Sequence, residues 1–138
     1  MRERGLDFAT VVQQAQELGY LEADPSFDIK GIDAAHKITI VSAIAFGVPM
    51  QFSKVHIEGI DQVHTLDVRY AAQFGYRIKL LGITRRVRVL DLPDGGGRDG
   101  IELRVHPSLV AETQLLANVE GAMNAVLVHS DAVGVTMY

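Results

Sequence analysis

Between Asp7 and Leu18 the apolar positions Phe8, Val11, Val12, Ala15 and Leu18 fall at helical spacing, with Asp7 placed to cap the helix and Gly19 to stop it. Residues 20–27 contain Glu22, Asp24 and Pro25 and predict a loop. A second helix is expected to start near Asp28 to Gly31 and to run to about Phe46, ended by Gly47 and Pro49. Positions 38–46 of it are apolar nearly all round, the pattern of a buried helix. VHIEGI (55–60) alternates as a half-buried strand, and HTLDVRYAAQFG (64–75) returns to helical spacing before stopping at Gly75. YRIKLLGITRRVRVLDL (76–92) alternates again. DGGGRDG (94–100) then reads as a flexible hairpin connection to the return strand IELRVHPSL (101–109). NAVLVHSDAVGVTMY (124–138) adds two strands with a turn near Ser130 and Asp131.

Helix, helix, strand, helix and then mostly strands is the order of an α+β fold, with a mixed or antiparallel β-sheet and helices packed on one face. A chain of 138 residues with no internal repeat and no linker is expected to form one domain, residues 1–138. It stops at Met137 and Tyr138 within strand-like sequence, as expected of a piece excised from a longer chain.

Charge and composition narrow the partners. The net charge is −4 and no long basic tract is present, which argues against nucleic acid. Without cysteine there is no disulfide framework, thiolate zinc site or cysteine nucleophile, which fits a reducing cytoplasm. The longest apolar stretch, ITIVSAIAFGVPM (38–50), is too short to span a membrane, and MRERGLDFATVV lacks the continuous apolar segment of a signal peptide. A soluble cytoplasmic protein with no membrane partner is expected.

The chemistry concentrates in GYLEADPSFDIKGIDAAHK (19–37). Asp33 and Lys37 are four apart, so on a helix they share a face in the favourable acid-before-base order. Taken alone, that is a surface ion pair. Ile40 and Ile44 continue the same stripe, however, and charges at the mouth of a buried stripe must be paired, exposed or used. Asp28 suits either a helix cap or a site at the helix N-terminus, where anions are favoured. The five histidines, His36, His56, His64, His106 and His129, show no metal-ligand spacing, and no metal is expected. No GxGxxG fingerprint and no GxSxG elbow occur. TRRVRV (84–89) places Arg86 and Arg88 on one side of a strand, read as a solvated sheet face.

The stretch GYLEADPSFDIKGIDAAHK also resembles the signature of homoserine dehydrogenases: an aromatic, a glutamate, DP, an aspartate and a GxDxARK-like element opening the catalytic helix. VEGAMNAVLVHSDAVG from position 119 resembles that family's VxGxxNAVxVxGDxVG segment, and GYRIKLLG and RVHPSL stand in the expected order between them. The resemblance covers the whole chain. It implies the substrate-binding, catalytic and dimerisation domain of an enzyme that interconverts L-homoserine and aspartate 4-semialdehyde with NAD(P), on the route to threonine, methionine and isoleucine. Residue by residue it implies Lys37 as the acid/base, Asp33 beside the substrate, Glu22 and Asp28 as substrate-binding acids and Tyr20 lining the site. It implies a homodimer through the β-sheet. The family's nucleotide-binding domain has no counterpart in these residues, so no cofactor-binding residue is assigned here, no cofactor is expected on this chain alone, and the chain alone is expected to be inactive. His36 stands where the family usually has arginine. The competing expectation is a non-catalytic small-molecule-binding or oligomerisation module that shares the fold.

Overall fold

A computed structural model describes residues 6–21, 23–89, 97–121 and 123–138. Its elements in chain order are α1 (Phe8–Glu17), α2 (Ser26–Ile29), α3 (Ile32–Phe46), β1 (His56–Ile57), α4 (Thr65–Gln73), β2 (Tyr76–Val89), β3 (Arg98–Ala111), β4 (Leu127–Ser130) and β5 (Gly134–Met137). Single 3₁₀ turns lie at Phe52–Lys54 and Leu115–Asn118. This is the expected α+β fold. One sheet has the order β1-β3-β2, and β4 and β5 form a second, two-stranded sheet.

The first sheet is mixed. β1 runs parallel to β3, with His56 opposite Arg104 and Ile57 opposite Val105. Along β2 and β3, Gly75 accepts from the Glu112 N–H while Arg85 bonds Glu102, so the pairing advances along one strand as it retreats along the other, in the antiparallel sense. β4 and β5 are antiparallel, with Leu127 opposite Met137 and Ser130 opposite Gly134.

The described residues form two compact units: one of residues up to Tyr20 with His64–Lys79 and Ser108–Tyr138, the other of Leu21–Val63 and Leu80–Pro107. In the first, Asp7 caps α1 as expected, its carboxylate accepting from the Thr10 N–H at 2.9 Å and the Thr10 hydroxyl at 2.8 Å. The helix closes in a Schellman motif, the Gly19 N–H reaching the Gln16 carbonyl and the Tyr20 N–H that of Ala15. Asp67 accepts from the His64 N–H at 2.8 Å and so fixes the start of α4. Arg77 on β2 ties down the 112–120 segment, donating to the Ala117 carbonyl at 3.1 Å and to Glu120 at 2.7 Å. Ala71, Val110 and Ala117 are the buried apolar residues of this unit.

In the second unit α3 lies on the face of the β2–β3 pair. Its buried residues are Ala35, Thr39 and Ser42. The expectation of a helix buried all round is therefore corrected: Ile40, Val41 and Ile44 are exposed, Ile44 by 80%. The bare backbone of Gly82 on β2 lets the helix come close at that point, where a Cβ would stand 3.2 Å from the Ile38 Cβ. The two buried hydroxyls are satisfied, Thr39 donating to the Ala35 carbonyl at 2.7 Å and Thr84 to Ser42 at 2.9 Å.

Two expected boundaries also move. The single helix predicted from Asp28–Gly31 onward is two, α2 and α3, separated at Gly31. The strand predicted over 55–60 is paired only at His56 and Ile57, because after Glu58 the chain turns away and the Ile60 N–H bonds the Ile29 carbonyl at 2.8 Å. The hairpin connection falls between β2 and β3 as expected, its residues 90–96 lying outside those described.

Candidate active site

The charged entrance is built by three successive local devices in the second unit. Asp24 folds back on its own chain, accepting from the Ser26 N–H at 3.0 Å, and so opens α2 directly after Pro25. Hydrogen bonding by the Ser26 hydroxyl, and then by its backbone, holds the Asp24 carboxyl below the ordinary aspartate value of 3.8. The Asp24 carboxylate thus serves the turn itself. The Gly31 N–H then closes α2 on the Asp28 carbonyl at 3.0 Å, and the Gly31 carbonyl accepts from Ala35 to start α3.

Gly31 can make this junction because it is glycine. Its φ is +75°, and a Cβ there would meet Val105 Cγ1 at 3.1 Å and the Glu58 carbonyl oxygen at 3.5 Å. The entrance to α3 is thus seated directly on the β1–β3 pair. Beyond it, Asp33 occupies the first turn of α3 and Lys37 the second, their side chains joined by an ion pair of 2.6 Å. The pair is open to solvent, Lys37 at 65% and Asp33 at 43% exposure. An exposed i,i+4 pair contributes only about 0.3–0.5 kcal/mol, so stability alone gives little reason for it.

Asp28 is half-buried on α2, and no described residue bonds its carboxylate. His36 turns away from Lys37 and stacks between two phenylalanines, its ring centroid 4.3 Å from that of Phe52 and 6.0 Å from that of Phe27. That stack ties α2 and the 52–54 turn to α3. Nothing in the sequence flagged it, because ring contacts between separate elements leave no periodic trace.

Of the predicted site residues, Asp28, Asp33 and Lys37 are carried together on the α2–α3 segment. Glu22 lies outside the described residues. Tyr20 is exposed at the end of α1 and belongs to the first unit. Chemically, the α2–α3 segment offers an accessible ammonium held by one carboxylate, with a second carboxylate free to bind. Such a set can give a proton to a developing oxyanion, take one from a hydroxyl, and accept hydrogen bonds from a substrate ammonium.

The sequence profile of homoserine dehydrogenases matches residues 1–138. A homoserine dehydrogenase of Neisseria gonorrhoeae is 57% identical over 138 residues, which is all of this chain and 29% of that protein. The crystal structure of a homoserine dehydrogenase from Thiobacillus denitrificans superposes with a TM-score of 0.90 at 61% identity, covering 100% of this chain and 30% of that one. A hyperthermophilic archaeal homoserine dehydrogenase mutant, solved in complex with NADPH, matches with a TM-score of 0.62 at 25% identity, over 94% of this chain and 32% of that one. The chain thus spans somewhat under a third of the length of these relatives.

Proposed function

The chain belongs to the homoserine dehydrogenase family, and we propose that it is the substrate-binding and catalytic part of a larger oxidoreductase that interconverts L-homoserine and L-aspartate 4-semialdehyde. The observation that carries this reading is the 2.6 Å Asp33–Lys37 pair, open to solvent at the start of α3 where the family signature stands. In the reductive direction the aldehyde oxygen gains negative charge as its carbon gains hydride. Lys37 Nζ then donates the proton that completes the alcohol, and in the oxidative direction the same nitrogen, unprotonated, removes the hydroxyl proton. Asp33 keeps the ammonium oriented. Asp28 and Glu22 receive the amino group of the substrate, and Tyr20 has a part in binding it.

A nicotinamide, NAD or NADP, would supply or accept the hydride. Among the described residues no strand passes through a glycine-rich turn into a helix, and the one glycine-rich stretch is flanked by strands β2 and β3. The described residues do not fit a dinucleotide, so cofactor binding is assigned to the remainder of the larger enzyme and no step is routed through the nicotinamide here. The isolated chain is then inactive. Copies of the chain associate through the sheet, and the whole functions in the cytoplasm in the synthesis of threonine, methionine and isoleucine. Among the described residues no helix is long and apolar enough to cross a membrane.

The test is kinetic, in the larger enzyme. Lys37→Ala should lower turnover at least about a hundredfold, the scale of lost acid/base help. Glu22→Gln should raise the KM for homoserine while leaving that for the nicotinamide unchanged. Near-normal turnover of Lys37→Ala would remove the acid/base role, and oxidation of homoserine by the purified 138-residue chain with NADP would overturn its assignment as inactive.

A further inference from the structure

The basic run of β2 has a use that the reaction does not absorb. Thr84, Arg86 and Arg88 alternate onto one face of the strand, and the Thr84 bond to Ser42 identifies that face as the one turned toward α3. Arg85 points the other way and pairs with Glu102, which also holds Arg104. Arg86 and Arg88 do not open onto a bare sheet face. They line a groove of about 740 Å³, together with Lys54 and the apolar side chains Phe46, Val48 and Pro49.

The charges in this groove are not balanced. Among the described residues, Lys54, Arg86 and Arg88 make no ion pair, and Arg86 instead lies over the Phe46 ring, 5.5 Å from its centroid. Among the described residues Asp99 is the single acid in the lining. Among those residues, three bases against one acid give a formal charge of +2 in one concave place, on a chain whose net charge is −4. The carbonyls ending α3 at Phe46 carry about half a negative charge, enough to favour one cation nearby but not three. Like charges held together in a concave wall focus a positive potential and attract a counter-ion of matching valence. The guanidinium of Arg86 is already oriented by its ring contact, so little freedom is lost when its donor fork meets an anion.

We propose that this groove binds a small organic polyanion, a di- or tricarboxylate or a phosphate ester, whose charged groups meet Arg86, Arg88 and Lys54 and whose carbon skeleton lies along Phe46, Val48 and Pro49. The site is separate from the Asp33–Lys37 pair: Thr39 and Ser42 of α3 line the groove, whereas Lys37 and Ile44 occupy the solvent side of the helix. It does not depend on the reading of the chain as a dehydrogenase.

The experiment is an amide NMR titration of the 138-residue chain at fixed ionic strength, with citrate in one arm, glycerol 3-phosphate in a second and inorganic phosphate in a third. Saturable shifts confined to residues around Phe46, Lys54, Arg86 and Gly100 are expected for citrate, for the phosphate ester or for both, the stronger arm identifying the source of the charge. Inorganic phosphate, which lacks the carbon skeleton, should bind at least tenfold more weakly than the stronger organic arm. Arg88→Ala, which removes a side chain without a described ion pair, should weaken binding at least tenfold, and Arg86→Lys should retain part of what Arg86→Ala loses. Arg85→Ala on the opposite face should leave affinity unchanged. Shifts that never saturate in either organic arm, equal affinity for inorganic phosphate, or equal losses for Arg85→Ala and Arg88→Ala would overturn the proposal.

Discussion

A Cβ added at Gly31 would sit 3.1 Å from Val105, the largest fully buried apolar side chain among the described residues, on a backbone of φ +75°. Gly31→Ala should therefore destabilise the chain by more than the roughly 1–2 kcal/mol that a left-handed non-glycine residue costs by itself. Urea unfolding measures this directly, and a loss below about 1 kcal/mol would show that α3 can shift to make room. At this scale the sequence was informative where chemistry follows spacing. Asp33 and Lys37 meet as their four-residue separation requires, and Asp24 makes the turn that an aspartate before proline favours. It was silent where a contact joins separate elements, as between His36 and its two phenylalanines.

Elements were legible in kind and misjudged in orientation. Helices α1, α3 and α4 and the long strands β2 and β3 lie where periodicity predicts them, because each has a face, a cap or a stop written locally. Hydrophobicity alone misplaced α3, whose Ile40, Val41 and Ile44 face outward while Ala35, Thr39 and Ser42 face the sheet. The close approach at Gly82, against Ile38, belongs to a distant strand, and no window of the helix sequence contains it. The cap of α1 gives a prediction in pH. Hydrogen bonds from the Thr10 backbone, and then from its hydroxyl, hold the Asp7 carboxyl below the ordinary 3.8. A carboxylate lowered on folding contributes its full stabilisation above its unfolded value and loses it as pH falls through the lower folded value. The Thr10 amide should thus keep its protection from exchange from neutral pH down to about 4 and lose it in more acid solution. In Asp7→Asn, whose cap does not ionise, that acid step should vanish; its persistence would place the transition elsewhere.

For the whole molecule, the order of elements predicted the α+β class. The interleaving of three distant stretches, up to Tyr20, His64–Lys79 and Ser108–Tyr138, into one compact unit is a long-range fact with no local signature. That unit carries the β4–β5 hairpin, where Val126, Leu127, Val128, Val133, Val135 and Met137 are all exposed. A two-stranded hairpin is at best marginally stable without a covered apolar face. Under the proposed homodimer, each copy supplies the cover that the other lacks, and mass action then enters the folding equilibrium. The melting temperature becomes a property of the solution as much as of the sequence. Between about 5 µM and about 500 µM chain it should climb by several degrees and the solution mass should double, whereas a constant melting temperature with a monomer mass would remove the dimer.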